Sequence, residues 1–217
     1  MSIDFQQARH AMVEQQVRPW DVLDRRVLDA LTAIPREDFV PAANRKLAFA
    51  DVALPLAHGE FMFKPVVEGR LLQALDLSPT DEVLEIGAGS GFLTACLARL
   101  ARAVVALERH ADLAEEARRR VAETGAANVR IDTADVATWD TPLRFDAILV
   151  GGAVAEVPER FLGWLKPGGR LVVVRGQSPV QEAACLRQGP AGLQTESLFE
   201  TDIPYLHGFA PVARFAL

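Results

Sequence analysis

The chain has 217 residues, of which 50% are hydrophobic and 24% are charged, and its net charge is −6. This composition is typical of a globular protein, and the length suits one α/β domain better than two independent ones. An acidic balance without long runs of lysine or arginine argues against a nucleic-acid partner. Neither a signal-peptide pattern nor an apolar stretch of about 18 residues is present, so we expect a cytoplasmic protein without a membrane partner.

The two cysteines also bear on location and on metal binding. Cys96 and Cys185 match no metal-ligand spacing, and Cys96 lies in the apolar run FLTACLARL, where a small hydrophobic side chain would pack. We therefore expect buried free thiols and no metal site.

The first 79 residues predict a helical cap. Helical spacing runs through residues 5–17 and 21–34, and the second pattern ends before Pro35. An irregular, proline-punctuated stretch follows up to Pro65, which suits the first turn of another helix over residues 66–77.

Residues 80–175 alternate short β-branched runs with helical patterns, which indicates βαβ units and a parallel sheet. Asp112 and Glu115 have the spacing of a capping box for a helix that ends at Gly125. Residues 176–217 are predicted to close the sheet, with strand-like alternation from residue 194 onward, so that the whole chain forms one domain. The predicted strands of the parallel part cover residues 82–86, 103–107, 128–132, 145–150 and 170–174.

The first of these strands runs into a glycine-rich turn, in the stretch VLEIGAGSGF. Gly87, Gly89 and Gly91 allow positive φ and a close approach of the backbone to a ligand beside a helix N-terminus. A dinucleotide site would have glycine or alanine at position 92, next to the pyrophosphate, and this chain has Phe92. An NAD-dependent oxidoreductase is therefore the weakest of the alternatives.

Acidic residues at the strand ends indicate a nucleoside ligand. Glu108 ends the second strand about 20 positions after Gly87, the offset at which a carboxylate accepts hydrogen bonds from ribose hydroxyls. Asp135 follows the third strand at the same edge of the sheet, where an adenine amino group could donate to it. Glu85 would lie near a positively charged amino-acid portion. A site that binds a nucleoside without a pyrophosphate group in this way predicts S-adenosylmethionine as the cofactor.

Further motifs stand in the order typical of one family. RVLDALTAIPREDFVP, LPLAHGE, VLEIGAGSGF, FDAILVGGAVAEVPE and LKPGGRLVV follow each other along the chain. In this ordered set the chain resembles the protein-L-isoaspartate O-methyltransferases.

The resemblance implies a Rossmann-like methyltransferase fold: a seven-stranded, mostly parallel sheet with helices on both faces and an N-terminal helical cap. It implies transfer of a methyl group from S-adenosylmethionine to a carboxylate of damaged aspartyl residues in proteins or peptides. Separately, we expect a monomer or weak dimer. The residues expected to contact the cofactor are Met62, Phe63, Glu85, Gly87, Ala88, Gly89, Glu108, Arg109, Asp135 and Val136.

One segment departs from the family pattern. Where the family has Thr-Ile-Ser-Gln-Pro, with the serine hydroxyl at the active site, this chain has Phe-Met-Phe-Lys-Pro at residues 61–65. Phe63 takes the place of the serine and has no hydrogen-bonding group in its side chain. A carboxylate acceptor is already ionised at neutral pH and needs no general base, so methyl transfer can survive this change while recognition of an isoaspartyl group is altered.

The identity of the catalytic residues therefore stays open, and the candidates on the substrate side are Phe63, Lys64 and His58. Lys64 could hold an acceptor carboxylate if its ammonium points inward, or lie in solvent if it points outward. His10, His110 and His207 show no carboxylate or metal partner in the sequence. Two alternatives to the isoaspartyl enzyme remain: a methyltransferase with another acceptor, and a non-catalytic module that binds the cofactor or its demethylated product.

Overall fold

The computed structural model describes residues 4–189 and 192–212. Two aspartates begin the first long helices: Asp4 accepts a hydrogen bond from the Gln7 amide, and Asp24 accepts one from the Arg26 amide. The α-helices are α1 Phe5–Met12, α2 Arg25–Ala33, α3 Arg36–Phe39, α4 Pro65–Ala74, α5 Phe92–Leu100, α6 Ala111–Glu123 and α7 Glu159–Gly163. A π-helical turn, Val13–Val17, continues α1, and short 3-10 helices cover Arg18–Trp20, Ala42–Leu47 and Ala57–Gly59.

The strands form a small hairpin and one large sheet. The hairpin pairs β1 with β2, and the large sheet has the order β5-β4-β3-β6-β7-β8-β9. Its first five strands in this order are parallel, and β8 and β9 are antiparallel additions at one end. The strands are β1 Leu54–Pro55, β2 Phe61–Met62, β3 Glu82–Ile86, β4 Ala103–Glu108, β5 Val129–Thr133, β6 Phe145–Val154, β7 Leu165–Gln177, β8 Val180–Gly189 and β9 Gly192–Thr201.

Alternate residues of the sheet feed two apolar cores. On one face Val83 and Leu149 pack with α4, α5, α6 and the N-terminal helices. On the other face Leu84 and Ile148 pack with Phe161 of α7 and its neighbour Trp164. Helices therefore cover both faces, and the predicted fold class is confirmed, with the N-terminal helices adding to the larger core.

The predicted strands of the parallel part agree with the structure, but several elements are longer or end elsewhere. β6 and β7 extend beyond the predicted 145–150 and 170–174, and α4 ends at Ala74 instead of residue 77. β8 was not predicted as a separate strand, because its pattern could be read only together with its antiparallel partner β7.

The predicted alternation over residues 194–217 is a strand only as far as Thr201. Part of residues 202–212 runs parallel to the end of β6, where the Leu206 amide donates to the Ala153 carbonyl at 2.8 Å and Ala153 pairs with Tyr205. The rest of that prediction, residues 213–217, lies outside the described residues.

The capping box predicted for α6 is wrong. His110 is the N-cap residue, and it makes no side-chain capping bond, while Asp112 lies within the first turn. The Asp112 carboxylate instead binds His58, a partner that lies 54 positions earlier in the chain.

In the part of the chain that the structure describes, no helix is both long and apolar enough to cross a lipid bilayer.

Candidate functional site

The glycine turn connects β3 to α5 at the centre of the sheet. Gly87, Gly89 and Gly91 have φ values of +86°, +53° and +86°, a region that side chains strongly disfavour. A Cβ on Gly91 would lie 3.0 Å from the Cβ of Ala117, so this glycine also lets α5 approach α6. The sequence pattern therefore predicts the local structure correctly.

The end of β6 closes against this turn. A Cβ on Gly151 would lie 2.5 Å from the Gly87 carbonyl oxygen and 2.8 Å from that of Ile86, so only glycine fits there. β3 and β6 are neighbours in the sheet, but β3 is followed by β4 on one side and β6 is followed by β7 on the other. Open α/β sheets bind ligands at such a switch point, beyond the carboxyl ends of the strands.

Glu108 links the end of β4 to the turn. Its side chain is buried, with one carboxylate oxygen accepting from the Gly89 amide at 2.9 Å and the other from the His110 amide at 2.9 Å. A carboxylate has about four acceptor sites, so both oxygens keep a free lone pair. Glu108 is thereby held rigidly and can still accept hydrogen bonds from a ligand.

Asp135 lies at the neighbouring strand end. The Ala134 amide donates to the Glu108 carbonyl at 2.8 Å, which places the residues after β5 beside β4. One Asp135 oxygen accepts from the Ala137 amide at 2.8 Å, and Val136 beside it is buried. The two acids predicted from the sequence thus lie at one edge of the sheet.

These strand ends form the floor of a cleft, the concave kind of surface at which small molecules bind. Two segments cover it, one before α4 and one after β9. The lining residues are Glu60, Phe61, Phe63, Ile86, Gly87, Gly89, Leu107, Glu108, Arg109, Ala134, Asp135, Val136, Gly151, Gly152, Pro204, Tyr205, Leu206 and His207.

A smaller cavity continues from this cleft between the glycine turn and β2. The two cavities share Phe61, Phe63, Gly87, Gly89 and Gly151. Met62, Ala88, Ser90, Phe92, Leu93 and one charged residue, Glu68, complete its lining.

Nine of the ten residues predicted to contact the cofactor line these two cavities, and Glu85 is the exception. Its side chain is buried behind the turn and accepts a hydrogen bond from the Thr94 hydroxyl. No described donor meets its other oxygen, Oε1. Burial raises the pKa of the Glu85 carboxyl to about 8, because desolvation outweighs the Thr94 hydrogen bond.

The segment that departs from the family pattern covers both cavities. Met62 and Phe63 are buried, and Phe61 is 42% exposed at the cleft. Lys64 is exposed at the N-terminus of α4 and lines neither cavity, which agrees with the solvent-facing alternative. An acceptor carboxylate in the cleft therefore has no lysine to meet from this segment.

A buried ion pair, which the sequence did not reveal, holds this segment in place. Arg36 is fully buried, its Nη1 pairs with Glu68, and its Nη2 donates to the Phe63 carbonyl at 2.8 Å. Its Nε donates to the Ala48 carbonyl at 2.8 Å, and its guanidinium lies 4.8 Å above the ring of Phe92. The sequence motif that contains Arg36 could have drawn attention to this residue, but no sequence pattern identified Glu68 as its partner.

Two stacked histidines lie next to the cleft, and neither of them lines it. His58, with φ +59°, binds both oxygens of Asp112 at 2.8 and 2.9 Å. Its ring stacks on His110 with centroids 4.1 Å apart, and His110 Nε2 lies 3.4 Å from Glu60. His110 was expected to lack a carboxylate partner; Glu60 from a distant segment lies near its ring, but Nε2 has no hydrogen-bond partner among the described residues. His58 itself lines neither cavity.

Comparison with known proteins identifies the family. The family model described as Protein-L-isoaspartate(D-aspartate) O-methyltransferase matches residues 7–198. A protein-L-isoaspartate O-methyltransferase of Syntrophobacter fumaroxidans is 37% identical over 90% of this chain and 92% of its own length. Another, from Methylorubrum extorquens, is 44% identical over 80% of this chain and 76% of its own.

Solved structures share the fold. A putative protein-L-isoaspartate O-methyltransferase from Plasmodium falciparum, in complex with S-adenosyl-L-homocysteine, has a TM-score of 0.79 and 20% identity over 91% of this chain and 97% of its own. A protein-L-isoaspartate O-methyltransferase at 24% identity has the same TM-score over 94% of this chain and 67% of its own. These matches confirm the resemblance read from the sequence, and the chain belongs to the protein-L-isoaspartate(D-aspartate) O-methyltransferase family.

Proposed function

We propose that this protein uses S-adenosylmethionine to methylate a carboxylate of isoaspartyl or D-aspartyl residues in proteins and peptides. The observation that carries the proposal is the meeting of Glu108, Asp135 and the glycine turn around one cleft. The names of the relatives support the acceptor.

The lining residues fit an adenosyl cofactor. Glu108 would accept hydrogen bonds from the ribose hydroxyls, and Asp135 would accept one from the adenine amino group. Apolar atoms of Leu107, Ala134 and Val136 would contact the adenine faces. When bound, S-adenosylmethionine supplies a methyl group attached to a sulfonium ion.

On the acceptor side the protein has to position and desolvate the carboxylate, and it does not have to remove a proton. A carboxylate has a pKa near 4 and is ionised at neutral pH, so it attacks without a general base. Phe61 and Phe63 would exclude water from the reacting groups, and orientation would supply most of the rate.

Transfer of labelled methyl groups from S-adenosylmethionine tests this proposal. A peptide with one isoaspartyl residue should be methylated, and the same peptide with an ordinary aspartyl residue should not. Glu108→Ala should weaken cofactor binding about tenfold or more, because it removes a charged hydrogen-bond acceptor. Absence of transfer to the isoaspartyl peptide, under conditions in which the cofactor demonstrably binds, would refute the acceptor.

A second candidate keeps the cofactor and changes the acceptor. Phe63 lines both cavities at the position of the family's serine, so the acceptor side of the cleft lacks that hydroxyl. Phe63→Ser tests the candidate. If the unmodified protein methylates isoaspartyl peptides, the variant should change the rate little. If Phe63→Ser creates that activity in an otherwise inactive protein, the natural acceptor is a different compound.

The proposal includes a cytoplasmic location, a single domain and a monomer or weak dimer that acts on protein or peptide partners. The location is supported by Cys96 and Cys185, which are both free and buried.

A further inference from the structure

The smaller cavity contains one charged side chain. Of the described residues that line it, only Glu68 is ionisable, and the others are apolar side chains, glycines and Ser90. The cavity begins at the glycine turn and extends away from Glu108 toward α4. A ligand whose ribose is bound by Glu108 would therefore extend its other end toward Glu68.

Glu68 belongs to a rigid arrangement. It is 2% exposed, and its Oε2 pairs with Arg36, whose other nitrogens are bound to the Ala48 and Phe63 carbonyls. The hydrogen bonds of the described residues reach Glu68 only at Oε2. Since Glu68 lines the cavity, its Oε1 can accept a hydrogen bond from a ligand that brings a donor.

The chemistry of the cavity matches the two charges of an α-amino acid. The N-terminus of α5, next to Ser90, favours a carboxylate through its free amide groups. Glu68, which also lines this cavity, favours a cation. Glu85 cannot take this role because it lies behind the turn and lines neither cavity.

We infer that Glu68 binds the α-ammonium group of the cofactor and is a specificity-determining residue for its amino-acid end. This inference rests on the proposed cofactor but not on the proposed acceptor. Arg36 acts through Glu68 and is a positioning residue.

Proton exchange should accompany binding. Burial raises the pKa of Glu68 to about 7, although the Arg36 guanidinium lowers it in part. The charged or titratable groups that face Glu68 are Arg36 from α3, Asp51 from the segment before β1 and Cys96 from α5. An ammonium group favours the ionised carboxyl, so affinity should fall as the pH drops below about 7, and binding there should release a proton.

The experiment compares two ligands by calorimetry: S-adenosylhomocysteine, and methylthioadenosine, which has the same nucleoside without the amino-acid end. Glu68→Gln should weaken S-adenosylhomocysteine about tenfold or more and leave methylthioadenosine nearly unchanged. Glu37→Gln is the matched control. Glu37 is also buried and paired with an arginine, Arg9, at 2.7 and 2.9 Å, but it lines neither cavity, so it should affect neither ligand.

Equal losses for both ligands in Glu68→Gln would show a merely structural role and overturn the inference, as would no loss for either. If Glu68→Gln fails to fold, binding to the unaltered protein tests the inference instead. The unaltered protein should bind S-adenosylhomocysteine about tenfold or more tighter than a third ligand, the deaminated analogue that keeps the carboxyl group and lacks only the α-amino group, with proton release only for S-adenosylhomocysteine. Equal affinities would overturn the inference.

The outcome also separates this inference from the proposed function. If neither S-adenosylhomocysteine nor methylthioadenosine binds, the cofactor and the inference fail together. If both bind and no isoaspartyl peptide is methylated, only the acceptor fails, and the binding data still judge Glu68.

Discussion

Glu85 illustrates how far the environment of a residue changes its chemistry. In the sequence it is an acid just before the glycine turn and therefore a candidate ligand contact. In the structure it is buried beside Thr94, and the field of Glu108 adds to the desolvation that raises its pKa. At neutral pH the free protein therefore keeps this carboxyl group protonated.

The buried acid makes stability depend on pH. The pKa of Glu85 is about 8 in the folded chain, against an ordinary value of 4.5, so the unfolded chain loses this proton first as the pH rises. The contribution of Glu85 to the free energy of unfolding is complete below about pH 4.5 and is lost as the pH rises to about 8. Relative to Glu85→Gln, the free energy of unfolding should fall by at most about 1.4 kcal/mol per pH unit in this window.

Urea denaturation of both proteins at about pH 5 and about pH 8 measures this difference. Glu68 changes stability in the same direction, but it is present in both proteins and cancels in the comparison. A difference that does not vary with pH would mean that Glu85 is already ionised in the folded protein.

At the scale of elements, the close contact between the glycine turn and the end of β6 shapes the site. Gly151 permits it because a side chain there would collide with two carbonyl oxygens, atoms that can shift only if a strand moves. The sequence showed the glycines of the turn by their spacing, whereas the role of Gly151 depends on which strand lies beside β3.

Gly151→Ala should destabilise the protein by about 1–3 kcal/mol or more, as overpacking of a close-packed interior does, and should weaken S-adenosylhomocysteine binding by displacing the turn. Gly163→Ala is the matched control. A Cβ at Gly163, the last residue of α7, meets no atom within 4 Å, so this variant should keep or slightly raise the stability. Thermal unfolding and calorimetry measure both effects, and unchanged binding in Gly151→Ala would contradict the role given to this contact.

At the scale of the whole molecule, the strand order brings the candidate site residues together. β4 and β5 lie on one side of β3, and β6 lies on the other, so their carboxyl ends surround one cleft. The segment before α4 and the residues after β9 cover that cleft from above. Residues that are far apart in sequence therefore share one site.

The complete cleft should distinguish the adenosyl ligand from a dinucleotide. S-adenosylhomocysteine at about one hundred times its Kd should stabilise the protein by about 2.7 kcal/mol, which raises Tm by about 5–10 °C for a chain of this size. NAD should give no comparable shift, because the buried ring of Phe92 occupies the place where a dinucleotide site needs a small residue. A thermal-shift comparison measures both, and equal stabilisation by NAD would contradict the site as described.

The sequence alone determined the βαβ pattern, the glycine turn, the acids at positions 108 and 135, and the family. These features can be predicted from the sequence because they depend on local periodicity, on backbone conformations that only glycine adopts easily, and on motifs in a fixed order. The same locality explains why β8 and the N-terminus of α6 were misjudged.

Only the tertiary structure decided which side chains meet. It paired Arg36 with Glu68, placed His58 between Asp112 and His110, and buried Glu85 away from the cavities. Each of these contacts joins segments whose proximity follows from the packing of helices on the sheet, and no local pattern encodes it. The charge of a buried acid likewise follows from its surroundings rather than from its residue type.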